Sequence, residues 1–278
     1  MLSATLSRAE SRQDVEYGQA GGVCLRMDTR VPDGPGPFPA AIIVHGGAWV
    51  RGDRKHDVQP LFKPLEDAGI AWFSISYRLA QGSANAIASA LLTGEGIEDV
   101  MQAINHVRAN AAKYNIDPDR IVIIGESAGG QLASMATLKP EMAGKVKAVV
   151  AFYTPSDLAS LAENSRQIPD SFRQAMKGTP FAEMLMAGLK NLSPINLVRE
   201  DMPPFLLIHG TSDSLVPYTQ SEEMCQRIHD AGASCELVPV RGGGHGMRWW
   251  ESNHLTAYKQ RMIEWLSKQF TQASPSKV

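Results

Sequence analysis

The chain has 278 residues, 44% of them hydrophobic and 20% charged, with a formal net charge of −2. That hydrophobic fraction excludes wholesale disorder and supports a large buried core. The near-neutral balance, with no Lys/Arg cluster on a predicted helix, argues against a nucleic-acid partner, and no apolar stretch reaches the roughly 18 residues of a membrane-spanning helix.

In chain order, Met1 to Gln13 reads as an extension without the continuous apolar run of an export signal. Residues 14–28 alternate loosely around Val15, Tyr17, Val23, Leu25 and Met27, which predicts an antiparallel hairpin turning at Gly21-Gly22. The Pro/Gly-rich segment Val31 to Pro39 is a loop. Ala40 to Val44 and Ile70 to Ser76 are apolar runs of strand length, with room for a short helix near Gln59 to Ala68. Ile97, Val100, Met101, Ile104 and Val107 recur at helical spacing, and Asp117-Pro118 marks a turn into a strand over Ile121 to Ile124. A helix over Ala128 to Leu138 and a strand over Val146 to Phe152 follow.

From Thr154 to Asp201 the rhythm breaks down, which predicts a small cap inserted above the sheet, with a short helix near Phe181 to Leu189. It resumes with strands over Phe205 to His209 and Cys235 to Val240, an intervening helix from Thr219 to Ala231, and a last amphipathic helix built on Leu255, Tyr258, Met262, Ile263 and Leu266. Uninterrupted apolar strands alternating with helices predict one α/β domain over residues 14–278, its mostly parallel sheet covered on both faces. The C-terminal strand ends then share the edge at which ligands bind.

Ser127 stands in Gly125-Glu126-Ser127-Ala128-Gly129-Gly130, between four consecutive β-branched residues and a predicted helix. A strand that turns sharply into a helix lifts the serine hydroxyl above the sheet and sets helix N–H groups beside it. Two further loops at the same edge carry Asp213 and the glycine-flanked His245. This is the order Ser, Asp, His, with His245 as base to Ser127 and Asp213 fixing the imidazole. His209 reads instead as a satisfied strand-end residue, and Asp157 and Asp201 as turn residues. The segment His45-Gly46-Gly47-Ala48-Trp49 follows another strand, so the backbone N–H groups of Gly47, Ala48 and Ala128 are the candidate oxyanion donors.

These motifs resemble the α/β-hydrolase superfamily, and more narrowly the esterases that carry His-Gly-Gly-x-Trp ahead of Gly-x-Ser-Ala-Gly-Gly. Ser74-Ile75-Ser76-Tyr77-Arg78-Leu79, Ile116-Asp117-Pro118-Asp119-Arg120-Ile121 and Pro204-Phe205-Leu206-Leu207-Ile208-His209-Gly210 match further landmarks, so the resemblance covers nearly the whole chain. Small bacterial esterases related to acetylxylan and feruloyl esterases are the nearer subgroup, since Ala48 replaces the third glycine of a His-Gly-Gly-Gly segment. Glu126 stands where such elbows often carry His.

The resemblance implies hydrolysis of a carboxylic ester through an acyl-enzyme, without a metal or organic cofactor. Trp49, Trp249 and Trp250 are candidates for an aromatic wall facing a short-acyl or aromatic-acyl ester of a small molecule or carbohydrate, with core packing as the competing role. Phe172, Met176, Phe181, Met184, Leu185 and Met186 either line an acyl site or attach the cap. Arylformamidases share the His-Gly-Gly-x-Trp segment, so formamide hydrolysis is the sharper alternative. A silent scaffold used for binding is the alternative of a different class. Leu197 and Val198 are the candidates for a homo-oligomer contact.

The three cysteines, Cys24, Cys225 and Cys235, lack CxxC or Cys/His metal spacing, and free buried thiols are the expectation, with a Cys225–Cys235 disulfide across a helix-to-strand turn as the alternative. The chain is expected to be soluble, cytoplasmic if full-length and periplasmic or secreted if an export signal has been removed.

Overall fold

The computed structural model describes residues 10–80, 94–164 and 178–272. Two strands open it, β1 (Glu10–Ala20) and β2 (Val23–Val31), paired antiparallel around Gly21-Gly22. The expected hairpin is present and its strands are longer than the alternation indicated. There follow β3 (Phe38–Val44), α1 (Phe62–Asp67), β4 (Ala71–Ile75), α2 (Glu95–Ala109), β5 (Ile116–Glu126), α3 (Ala128–Leu138) and β6 (Val149–Phe152). The second half contains α4 (Leu158–Asn164), α5 (Pro180–Asn191), β7 (Phe205–Gly210), α6 (Thr219–Asp230), β8 (Cys235–Val240), α7 (Met247–Ser252) and α8 (Ala257–Thr271).

The eight described strands form one sheet in the order β1-β2-β4-β3-β5-β6-β7-β8. The pairs β1/β2 and β2/β4 are antiparallel and every later pair is parallel, which is the α/β-hydrolase arrangement. Successive strand residues point to opposite faces, and that explains why the central strands carry no polar alternation. Ala40, Ile42, Val44, Ile121 and Ile123 join Val100, Ile104, Leu132 and Ile228 in one core layer. Ala41, Ile43, Val122 and Ile124 join Leu61, Leu65, Met262, Trp265 and Leu266 in the other.

Asp117-Pro118 does not precede β5 but lies inside it. Phe38 pairs with Ile116 and Ala40 with Ile121, so the extra residues bulge out of the ladder. Proline there has no N–H to donate, which a bulge tolerates.

Between β6 and β7, α4 and α5 pack through Leu158, Ala159 and Leu189, with Leu185, Met186 and Leu192 around them. Residues Phe172 and Met176 lie outside the described residues, as does most of the N-terminal extension. Met184 points to solvent. Leu197 and Val198 are half-buried and pack against the main core. Cys225 and Cys235 are joined by a disulfide between α6 and β8, rather than being free thiols; their Cα atoms lie 5.5 Å apart, within bridging distance. Cys24 is unpaired.

Candidate active site

The parallel strands β3, β5, β6, β7 and β8 all end at one edge, and each exit delivers one part of the site. From β5 the chain enters α3 through Ser127, whose φ of 49° and ψ of −121° are rare for a residue with a side chain. The turn needs glycine on both sides. A Cβ on Gly125 would stand 2.4 Å from the Gly129 carbonyl oxygen, and one on Gly129 would stand 2.2 Å from that of His45. Close packing of the turn against β3 is thus what the two glycines permit.

The β7 and β8 exits bring Asp213 and His245 to the serine. His245 Nε2 lies 3.0 Å from Ser127 Oγ, and His245 Nδ1 lies 2.7 Å from Asp213 Oδ2. Asp213 Oδ1 accepts the N–H groups of Leu215 and Val216, each at 2.9 Å. Burial opposes ionisation of this carboxyl, but hydrogen bonds from His209 and His245 and the N–H of Val216 outweigh it and hold it well below the ordinary carboxylate range. His209 is fully buried, with Nε2 within 2.9 Å of the Val216 carbonyl and 3.4 Å of Asp213 Oδ2, and Nδ1 against Ser221 Oγ. Asp157 instead accepts the N–H of Ser160 at the start of α4, and Asp201 pairs with Arg199 at the surface.

The β3 exit holds the candidate oxyanion donors. Gly47, Ala48 and Trp49 have φ values of 110°, 52° and 63°, so two consecutive non-glycine residues are left-handed, at a cost of about 1–2 kcal/mol each. Among the described residues, the N–H groups of Gly47, Ala48 and Ala128 meet no protein acceptor. The Gly47 carbonyl receives the N–H groups of Val50 and Arg51. A Cβ on the preceding Gly46 would lie 3.2 Å from Ser127 Cβ, which sets this segment directly against the serine.

The Gly46 carbonyl is held by the Tyr77 phenol at 3.2 Å and by His45 Nδ1 at 2.8 Å. The next peptide bond is planar and trans, so fixing that carbonyl aims the Gly47 N–H in the opposite direction. Burial lowers the affinity of His45 for a second proton, and its ring stacks on Tyr77 with centroids 4.5 Å apart. Tyr77 is anchored in turn by its neighbour Arg78, whose N–H and guanidinium bind the buried Asp99 of α2.

The three tryptophans part company. Trp49 donates its indole N–H to Gln131 on α3 at 3.0 Å and packs between the main core and the α4–α5 cluster. Gln131 is buried and donates onward to the Leu192 carbonyl at 2.8 Å. Trp249 is 46% exposed, with its ring beside Gly244. Trp250 is completely buried among Phe152, Tyr153 and Tyr258 and donates to the Gly244 carbonyl at 2.7 Å. Its indole thus holds the His245 loop from the core and takes no part in an aromatic wall. Tyr77, Gln131 and Tyr153 were not singled out as site residues by sequence; the only signals were a landmark motif, a helix position four residues past the serine, and an aromatic at a strand end.

Among the described residues, no group of three or more His, Cys, Asp or Glu could hold a metal ion, and no helix is long and apolar enough to cross a membrane.

The BD-FAE family matches residues 27–228, and a TAP-like protein family matches residues 188–269. The probable carboxylic ester hydrolase LipM of Mycobacterium tuberculosis (strain ATCC 25618 / H37Rv) is 32% identical over 229 residues, covering 77% of this chain and 51% of that protein. The chain spans between half and three-fifths of the length of LipM and of two esterases from the same organism, LipQ and LipC. Among solved structures, a truncated form of a carbohydrate esterase from gut microbiota superposes with a TM-score of 0.77 at 29% identity, covering 97% of this chain and 99% of that one. A bifunctional GH43-CE protein of Bacteroides eggerthii superposes with a TM-score of 0.73 at 28% identity, over 93% of this chain and 38% of that one.

Proposed function

The chain belongs to the BD-FAE family, and from that premise we propose that it is a serine carboxylic ester hydrolase working through an acyl-enzyme on Ser127. The observation that carries the reading is the unbroken hydrogen-bonded series from Ser127 Oγ through His245 to Asp213, at 3.0 and 2.7 Å. In this reading Ser127 Oγ attacks the ester carbonyl carbon while His245 Nε2 takes its proton. Negative charge moves to the carbonyl oxygen, where the N–H groups of Gly47, Ala48 and Ala128 receive it. The tetrahedral species collapses, the C–O bond to the alcohol breaks, and His245 returns the proton to the departing oxygen. Water, deprotonated by the same imidazole, then releases the acid and restores the serine. Asp213 remains ionised throughout and holds Nδ1–H, so that Nε2 faces the serine with its lone pair.

The proposed substrate is a short-acyl or aromatic-acyl ester, with a carbohydrate as the alcohol. The first half is supported by the packing of the α4–α5 segment on Trp49, next to the candidate oxyanion residues. The second is supported by likeness to a protein described as a carbohydrate esterase and by Trp249, an exposed ring near His245 suited to a sugar face. Hydrolysis of acetyl, butyryl, long-acyl and feruloyl esters, beside a matched aryl formamide, tests both. Expected are turnover of the acetyl, butyryl or feruloyl esters and its loss in Ser127→Ala. Predominant long-chain or formamide hydrolysis would overturn the substrate assignment, and equal turnover by Ser127→Ala would overturn the mechanism.

A further inference from the structure

Acyl transfer as described leaves one carboxyl at the site unused. Glu126 immediately precedes Ser127, and its Oε1 accepts the N–H of Gly46 at 2.9 Å. Its Oε2 is hydrogen-bonded to the phenol of Tyr153, whose oxygen also accepts the N–H of Met247 at 3.0 Å. Tyr153 follows β6 directly, is completely buried and has a φ of 36°, rare for an aromatic residue. Its ring meets the His245 ring edge to face, with centroids 4.7 Å apart. One carboxyl and one phenol therefore connect four strand exits: Gly46 after β3, Glu126 at the end of β5, Tyr153 after β6, and Met247 two residues past His245 after β8.

We propose that Glu126, acting with Tyr153, is a positioning residue that clamps the oxyanion segment and the His245 loop onto the nucleophile turn. The proposal rests on the assignment of Ser127, His245 and the Gly47 and Ala48 donors made above. Glu126 does not touch the reacting atoms. It fixes the peptide that enters Gly46, while Tyr77 and His45 fix the peptide that leaves it, so both planes flanking Gly46 are set before substrate arrives. Tyr153 performs the matching task for the base, with its ring against the imidazole and its oxygen on the backbone that follows. A carboxyl is suited to this position because its two oxygens can each meet a different partner, the Gly46 N–H at one and the Tyr153 phenol at the other. Burial raises the Glu126 carboxyl above the ordinary range, so this choice of side chain opposes folding stability. Space-filling alone would be served better by an apolar residue.

The test is steady-state kinetics of Glu126→Ala, Glu126→Gln and Tyr153→Phe on 4-nitrophenyl acetate and butyrate. Alanine is expected to lower kcat about tenfold or more with KM within about threefold, since what is lost is transition-state alignment rather than ground-state binding. Glutamine retains an acceptor for Gly46 and offers an N–H to the Tyr153 oxygen, so it is expected to recover most of that loss. Tyr153→Phe keeps the ring and loses the Met247 tether, and is expected to fall between them with the same kcat-dominated pattern. A wild-type kcat in Glu126→Ala, a change carried by KM alone, or glutamine as slow as alanine overturns the clamp. If Glu126→Ala does not fold, Tyr153→Phe decides by the same division between kcat and KM. Wild-type protein that neither hydrolyses these esters nor reacts with a phosphonate at Ser127 overturns the underlying assignment instead.

Discussion

The two flanks of Ser127 are organised by opposite means. On the base side, an ionised carboxyl receives two imidazoles and two backbone N–H groups, so charge-assisted hydrogen bonds set the geometry. On the oxyanion side, the candidate donors are backbone N–H groups in a left-handed stretch at Ala48 and Trp49, and side chains from distant segments, Tyr77, Gln131 and the Glu126 carboxyl, hold that stretch in place. One flank thus concentrates its chemistry in side chains, while the other distributes it over the backbone and its supports. Losses on the base side should therefore be large and local, and losses on the oxyanion side smaller and shared.

The largest effect is expected for Asp213→Asn, which presents an amide to the imidazole and favours the wrong tautomer. It should lower kcat by about 10³–10⁴ with little change in folding, as measured by single-turnover hydrolysis. A loss below tenfold would place another carboxyl behind His245. On the other flank, Tyr77→Phe removes the phenol hydrogen bonds to the carbonyls of His45 and Gly46. Because His45 Nδ1 still holds Gly46, kcat should fall only by about tenfold with KM nearly constant. A loss as large as that of Asp213→Asn would erase the contrast between the flanks.

Gln131→Met removes the acceptor of the Trp49 indole and the donor to Leu192, taking the protein partner from each of these half-buried groups. Urea unfolding should show a stability loss of about 1–3 kcal/mol, and kcat should fall only a fewfold. Unchanged stability would mean that the indole and the α4–α5 segment are held by apolar contact alone. Smallest of all for activity is the double replacement Cys225→Ser with Cys235→Ser. The bridge ties α6 to β8 and touches neither flank, so kcat should stay at the wild-type value while stability drops by about 2–4 kcal/mol. Loss of turnover in the folded double variant would show that the disulfide holds the Asp213 and His245 loops.

The same contrast explains what could be read from sequence. The strands were legible because apolar runs such as Ile121 to Ile124 are buried on both faces, and Ser127, Asp213 and His245 because a strand exit fixes where each side chain emerges. Supports of the oxyanion flank were not. Tyr77 lies in a landmark motif that says nothing of its role, Gln131 and Tyr153 occupy unremarked positions, and only the fold sets the three against Gly46, Trp49 and Glu126. Trp250 was ambiguous for a related reason: its neighbour Trp249 reaches solvent while it faces inward to Phe152 and Tyr258, and a helix of six residues carries too little periodicity to separate them. The proximity of Cys225 and Cys235 is legible in the sequence, but only the packing of α6 on β8 decides between free thiols and a disulfide. Asp117-Pro118 misled because a proline at a bulge and a proline at a turn have the same local signature.

The central claim is that Ser127 is the acylated nucleophile, and intact-mass analysis followed by peptide mapping tests it most directly. A fluorophosphonate probe should add one label per chain, on the peptide containing Gly125 to Gly130, and Ser127→Ala should remain unlabelled. One label on a different residue, or equal labelling of Ser127→Ala, would contradict the account.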